Sequence, residues 1–145
     1  MWELIVTQNI TLDGVIDAAG DWFDVTGEEG TDQSDIIAAV GGEMANTDAL
    51  LIERVTFEQM RGYWPPQTED ATGVRDHLNE VRKYVLSRTL RDPAWERSTV
   101  LRGPLLEEVR KLKAQLGKGI VVTGSMSLMP EPIAGGVVDE YRLFV

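Results

Sequence analysis

Two kinds of apolar pattern alternate along the chain. Leu4-Ile5-Val6, Ala49 to Ile52, Tyr84 to Ser87, Thr99 to Leu101 and Ile120 to Thr123 are short runs rich in β-branched or aliphatic residues. Runs of this length between turn residues predict strands, and the nearly continuous apolar ones are of the kind buried on both faces of a parallel sheet. Tyr141 to Val145 alternates apolar with polar residues and predicts a last strand. The second pattern has the helical period. Ser34 or Asp35 caps a helix carrying Ile36, Ile37, Val40 and Met44, weakened in its middle by Gly41-Gly42. Thr56 to Met60 predicts a short helix, and Gly73 to Val81 another with Val74, Leu78 and Val81 on one face. Leu105, Leu106, Val109, Leu112 and Leu116 form the clearest stripe, opened by Pro104 and closed by Gly117. Strands alternating with helices predict an α/β fold, a three-layer α/β/α sandwich around a mostly parallel central sheet. The polar, Gly- and Asp-rich stretch from the first strand to Ser34 is long for a connection without structure of its own, and loops of that length are usually functional.

Composition narrows the function classes. A chain of 145 residues is the size of one domain, here residues 1–145, and 43% hydrophobic with 26% charged residues is an ordinary globular balance. A net charge of -10 excludes a broad nucleic-acid-binding surface. An anionic ligand would have to be held by local donors and not by the field of the whole molecule. With no cysteine and one histidine, His77, the chain offers neither a thiolate nucleophile nor a metal constellation. Met1-Trp2-Glu3-Leu4 lacks the basic start of a signal peptide, and Ile36 to Val40 falls far short of the roughly 20 apolar residues that cross a bilayer. The expected setting is the cytoplasm, with a small molecule as substrate and neither membrane nor nucleic acid as partner.

Candidate chemistry gathers where strands end. Arg54-Val55-Thr56, Ser87-Arg88-Thr89 and Gly124-Ser125-Met126 each follow an apolar run, at the point where a loop or helix begins. In a parallel α/β fold such junctions present backbone N–H groups and positive helix ends, which favour an anion such as a nucleotide phosphate. Each also has a plainer reading. Arg54 is a candidate ion-pair partner of Glu53 or Glu58, Thr56 a helix cap, Gly124 a tight turn, and Asp13-Gly14 a turn pair.

The order of the motifs carries a resemblance. Thr11-Leu12-Asp13-Gly14-Val15-Ile16 matches S-L-D-G-x-I after its first position. Glu53-Arg54-Val55-Thr56-Phe57-Glu58 matches G-R-x-T-[YFW]-E except at Glu53. Lys83 to Leu90 matches K-x-V-x-S-R-T-L, Gly124, Ser125 and Leu128 match G-[SG]-x-x-L, and Val138 to Leu143 match V-D-E-x-R-L. Together these span nearly the whole chain, which resembles the bacterial dihydrofolate-reductase-like family that includes the reductase domain of riboflavin biosynthesis.

That resemblance implies NADPH as cofactor. Arg54 and Thr56 would meet a phosphate at a helix start. Ser87 and Arg88 would take the adenosine ribose and its 2′-phosphate, with Arg102 a second candidate for that phosphate. Gly124, Ser125 and Met126 would let the pyrophosphate approach the backbone, and Asp13, Gly14 and Ile16 would belong to the loop over the nicotinamide. Tyr63 and Trp64 would wall the pocket of a planar nitrogen heterocycle, either a pterin or the ribosylaminopyrimidine of riboflavin synthesis. A non-catalytic member that binds a nucleotide or a protein is the alternative. No catalytic residue is assigned: Asp24, Asp32 and Asp35 lie in the region where a dihydrofolate reductase carries its acid, but none aligns.

Three departures bear on these expectations. Glu53 replaces the glycine before Arg54, where it would either weaken phosphate binding or neutralise Arg54. Pro130 and Pro132 shorten or break the helix after Gly124-Ser125. The sequence ends at Val145, where the resemblance predicts further strands; the expectation is a fold lacking them, with an open sheet edge suited to a homodimer.

Overall fold

The computed structural model describes residues 2–14, 32, 34–70, 72–115, 117–123, 128 and 130–145. Its elements follow one another as β1 (Glu3–Asn9), α1 (Ser34–Ala45), β2 (Ala49–Glu53), α2 (Arg54–Tyr63), α3 (Val74–Glu80), β3 (Arg82–Leu86), β4 (Ser98–Leu101), α4 (Leu105–Lys113), β5 (Gly119–Thr123), α5 (Pro130–Ala134) and β6 (Glu140–Phe144). The six strands form one sheet in the order β4-β3-β2-β5-β1-β6, and every pairing is parallel. The expected α/β sandwich is present, with a fully parallel sheet among the described residues.

Alternation along each strand sorts the core into two halves. Leu4 and Val6 of β1, Leu51 of β2 and Ile120 and Val122 of β5 face Leu105, Val109 and Leu112 of α4. Ile5, Leu50, Ile52, Val85 and Val121 point the other way, onto Phe57 of α2 and Leu78 of α3. The apolar stripe of α4 and the single buried side chain of α2 thus cover opposite faces. Each fully buried aliphatic side chain contributes on the order of 1.5–3 kcal/mol, so both layers are held mainly by these contacts. Both prolines lie within α5, which is five residues long, with Pro130 at its first position.

Two core features have no apolar signature. Lys83 is 0% exposed. Its ammonium donates to the backbone oxygens of Leu78 at 2.6 Å and Val81 at 3.0 Å, at the carboxyl end of α3, and stands 4.6 Å from the Trp95 ring centroid. Trp2 is buried against Tyr84, with ring centroids 6.4 Å apart. Its indole fits because Gly117 has no side chain: a Cβ there would lie 1.6 Å from Trp2 Nε1.

Candidate active site

Because the strands are parallel, all their carboxyl ends open on one edge of the sheet. The helices α1 and α2, which follow β1 and β2, lie on one face together with α3, which precedes β3, and α4 and α5, which follow β4 and β5, lie on the other. The connections therefore diverge around the end of β5, which sits between β1 and β2. A crevice outside such a divergence is where open α/β sheets bind ligands.

Register places the expected residues side by side along that edge. Glu53 pairs with Leu86, and Leu86 with Leu101. The next residues on the three strands are Arg54, Ser87 and Arg102, so three of the expected phosphate contacts leave the sheet at one level. Thr123, at the end of β5, pairs with Thr7 of β1. Asp13 and Gly14 follow β1 in a turn closed by the Gly14 amide on Thr11 O and the Thr11 hydroxyl on the Asp13 carboxylate, with Gly14 at φ 93°. Ile16, Gly124, Ser125 and Met126 lie outside the described residues.

Beyond β3 and β4 the edge holds a cavity of about 370 Å³ lined by Ser87, Arg88, Arg102, Gly103 and the start of α4, with Glu131 of α5 at its side. Ser87 Oγ accepts from the amides of Thr89 (3.2 Å) and Leu90 (3.0 Å), which closes the turn after β3. The Arg102 guanidinium donates to Arg88 O (3.2 Å) and Leu90 O (2.6 Å), fixing its plane while leaving further donors. Arg88 is exposed and makes no ion pair among the described residues. These three residues form a cation-rich pocket of the size that takes a small ligand.

The start of α2 is arranged differently. Glu53 caps the helix, its carboxylate accepting from the amides of Val55 (2.9 Å) and Thr56 (2.6 Å) and from the Thr56 hydroxyl (2.6 Å). Burial alone would raise its pKa, but the hydrogen bonds from Thr56 and Val55 and the nearby Arg54 charge outweigh this and hold it below the usual range. Arg54 itself turns along the helix to Glu58 at 3.0 Å.

A second cavity, of about 220 Å³, lies between α1, α2, α3 and the sheet. It is mostly apolar, with Trp64 in its wall and Thr7, Glu43, Thr47, His77 and Thr123 as its polar members. The Thr7 hydroxyl is hydrogen-bonded to the Glu43 carboxylate. Burial lowers the His77 pKa, against the opposing charges of Glu43 and Glu80. Of the two expected aromatic walls, Trp64 lines this cavity. Tyr63 is 52% exposed and stacks edge-on against Trp64 at 5.0 Å. Asp32 and Asp35 are exposed and do not line it, and Asp24 lies outside the described residues. Glu43 is the carboxylate that sequence reasoning missed. The available signal was its position, next to Met44 and three residues after Val40, on the inward stripe of α1.

A larger cavity, about 410 Å³, opens at the opposite edge of the sheet beside Trp2, Arg82 and Arg97, away from the strand ends. Among the described residues no group of acidic or histidine side chains could hold a metal ion, and no helix is long and apolar enough to cross a membrane.

This parallel sheet, with its crevice at β5 and flanking cavities, defines a doubly wound α/β fold. The chain belongs to the RibD C-terminal domain family, whose profile matches residues 3–145. It is 30% identical over 149 residues to the uncharacterised protein YyaP of Bacillus subtilis (strain 168), covering 99% of this chain and 73% of that protein. Two solved structures share its fold. A protein from Shewanella sp. PV-4 assigned to riboflavin biosynthesis matches with a TM-score of 0.66 at 18% identity, covering 97% of this chain and 75% of that one. A pyrimidine reductase-like protein from Corynebacterium diphtheriae matches with a TM-score of 0.56 at 17% identity, covering 97% and 73%.

Proposed function

We propose that this protein is an NADPH-dependent reductase of a planar nitrogen heterocycle, of the ribosylaminopyrimidine or pterin kind. The observation that carries the reading is the shared cavity of Ser87, Arg88 and Arg102 on the edge where the strand connections diverge. Its guanidinium groups suit a phosphorylated ribose, since arginine presents a planar fork of donors to phosphate. The family membership and the reductase-like relative of known fold support the same reading.

The cofactor, when bound, supplies the hydride; the chain's own residues position and enclose. Ser87, Arg88 and Arg102 hold the adenosine-phosphate end. Trp64, Leu50 and Val121 give the smaller cavity flat apolar walls that exclude water from a ring. Glu43, oriented by the Thr7 hydroxyl, accepts N–H donors of the heterocycle and so fixes which face of the ring is presented.

Titration of the protein with NADPH, followed by tryptophan quenching, tests the reading. Saturable binding is expected, and replacing Arg88 and Arg102 together with alanine should weaken it at least tenfold. No saturation up to millimolar NADPH would remove the proposal. A non-catalytic nucleotide-binding role is the second reading, favoured by the carboxylate that caps α2. It predicts NADPH binding with no oxidation when a ribosylaminopyrimidine is added.

A further inference from the structure

The first amides of a helix that follows a parallel strand are ordinarily open to an anion. At α2 they are taken by the chain itself. Glu53 has extended backbone (φ -81°, ψ 163°), and its carboxylate folds back over the helix it precedes. One oxygen receives the Val55 amide, and the other receives both the amide and the hydroxyl of Thr56. The neighbouring guanidinium, Arg54, is engaged by Glu58. The Thr56 amide and hydroxyl therefore hold a carboxylate of the same chain, and one N–H of Arg54 holds another. A second anion would have to displace a bonded one or share its donors at close like-charge range. The cavity of Ser87, Arg88 and Arg102, on the next two strands, has one carboxylate in its wall, Glu131, but Arg88 makes no ion pair among the described residues.

We propose that Glu53 is a resident anion in the α2 phosphate seat, so that this chain holds a dinucleotide by its adenosine-phosphate end while its bridging phosphates are kept off α2. The inference rests on the cofactor reading above and deepens it: it names the residue that limits dinucleotide affinity. It also accounts for a glutamate where the resemblance has glycine. The side chain takes the ligand's place on the Val55 and Thr56 donors, with the Arg54 charge near enough to stabilise it.

The experiment compares Glu53→Gly and Glu53→Ser with the parent protein. Serine keeps a cap oxygen without the charge, so a loss confined to the glycine variant would report helix fraying. Dissociation constants are measured for NADPH and for adenosine 2′-monophosphate, which carries the ribose phosphate and no bridging phosphates. Both variants should bind NADPH at least tenfold more tightly than the parent and leave adenosine 2′-monophosphate within about twofold. Equal NADPH affinity in all three proteins would overturn the inference while leaving the cofactor reading intact. Equal tightening of both ligands would also overturn it, because Glu53 would then act as a distant charge and not as an occupant. Binding of neither ligand to any of the three would sink this inference and the cofactor reading together. Inorganic pyrophosphate provides an arm independent of NADPH: its phosphorus resonance should broaden with Glu53→Ser and not with the parent, and identical behaviour would count against the proposal.

Discussion

Lys83 shows how much a single side chain can carry. Its ammonium closes the carboxyl end of α3, where backbone carbonyls and the helix dipole favour a cation. Burial, together with the Arg97 charge, nevertheless depresses its pKa from 10.5 to about 8. The native state thus releases this proton before the unfolded chain does. Between about pH 8 and 10.5 the unfolded chain binds more protons, so stability rises with pH across that window, and the increment is lost as pH falls through about 8. The urea midpoint of the parent should climb between pH 8 and 10 relative to Lys83→Met, by an amount bounded at about 3 kcal/mol. Parallel profiles for the two proteins would refute this. Neither Lys83 nor Glu43 could be placed by sequence patterning, because lysine and glutamate default to the solvated side of any periodic segment. The motif match marks Lys83 as part of a pattern but says nothing of its direction, and Glu53 reads from sequence as a misfit although it makes three hydrogen bonds.

Strands were the most legible elements. Their apolar runs are unbroken because both faces of the sheet are covered, and β2, β3, β4 and β5 appear within a residue or two of expectation, while β1 continues three residues past Val6 to Asn9. Helix α2 was less so: Thr56 to Met60 was expected, whereas the helix runs Arg54–Tyr63. It buries one side chain, Phe57, so periodicity had little to register. Its limits come from the Glu53 cap and from Pro65, which has no N–H to continue the helix although Trp64 itself keeps helical backbone angles (φ -76°, ψ -45°). Phe57 is fully buried and lies 5.7 Å from the Trp95 ring, anchoring α2 to the sheet. Phe57→Ala should cost about 3–5 kcal/mol in chemical denaturation, and a cost under 1 kcal/mol would mean the helix is held by something else. Gly117 is the matching constraint after α4. Gly117→Ala puts a methyl group against the indole of Trp2 and should destabilise by about 1–3 kcal/mol, read as a lower urea midpoint. An unchanged midpoint would show that Trp2 moves aside freely.

At the scale of the molecule, fold class followed from the alternation of strand and helix, but strand order did not. Hydrophobic patterning assigns each run to a buried sheet without saying which run lies beside which. The convergence of Arg54, Ser87 and Arg102 at one level is a product of that order together with register, and neither is written in local composition. The resemblance supplied what patterning could not.

The same topology governs how the chain must be made. β1, seven residues long, finds its two neighbours in β5 and β6, so Glu3 waits for Gly119 and Ile5 for Glu140. On the ribosome, Leu4, Ile5 and Val6 emerge early and stay bare on both flanks until residues 119–144 have been translated. A strip made well before either of its partners is therefore among the last to be zipped shut, and whatever shelters this protein during its synthesis has to act there.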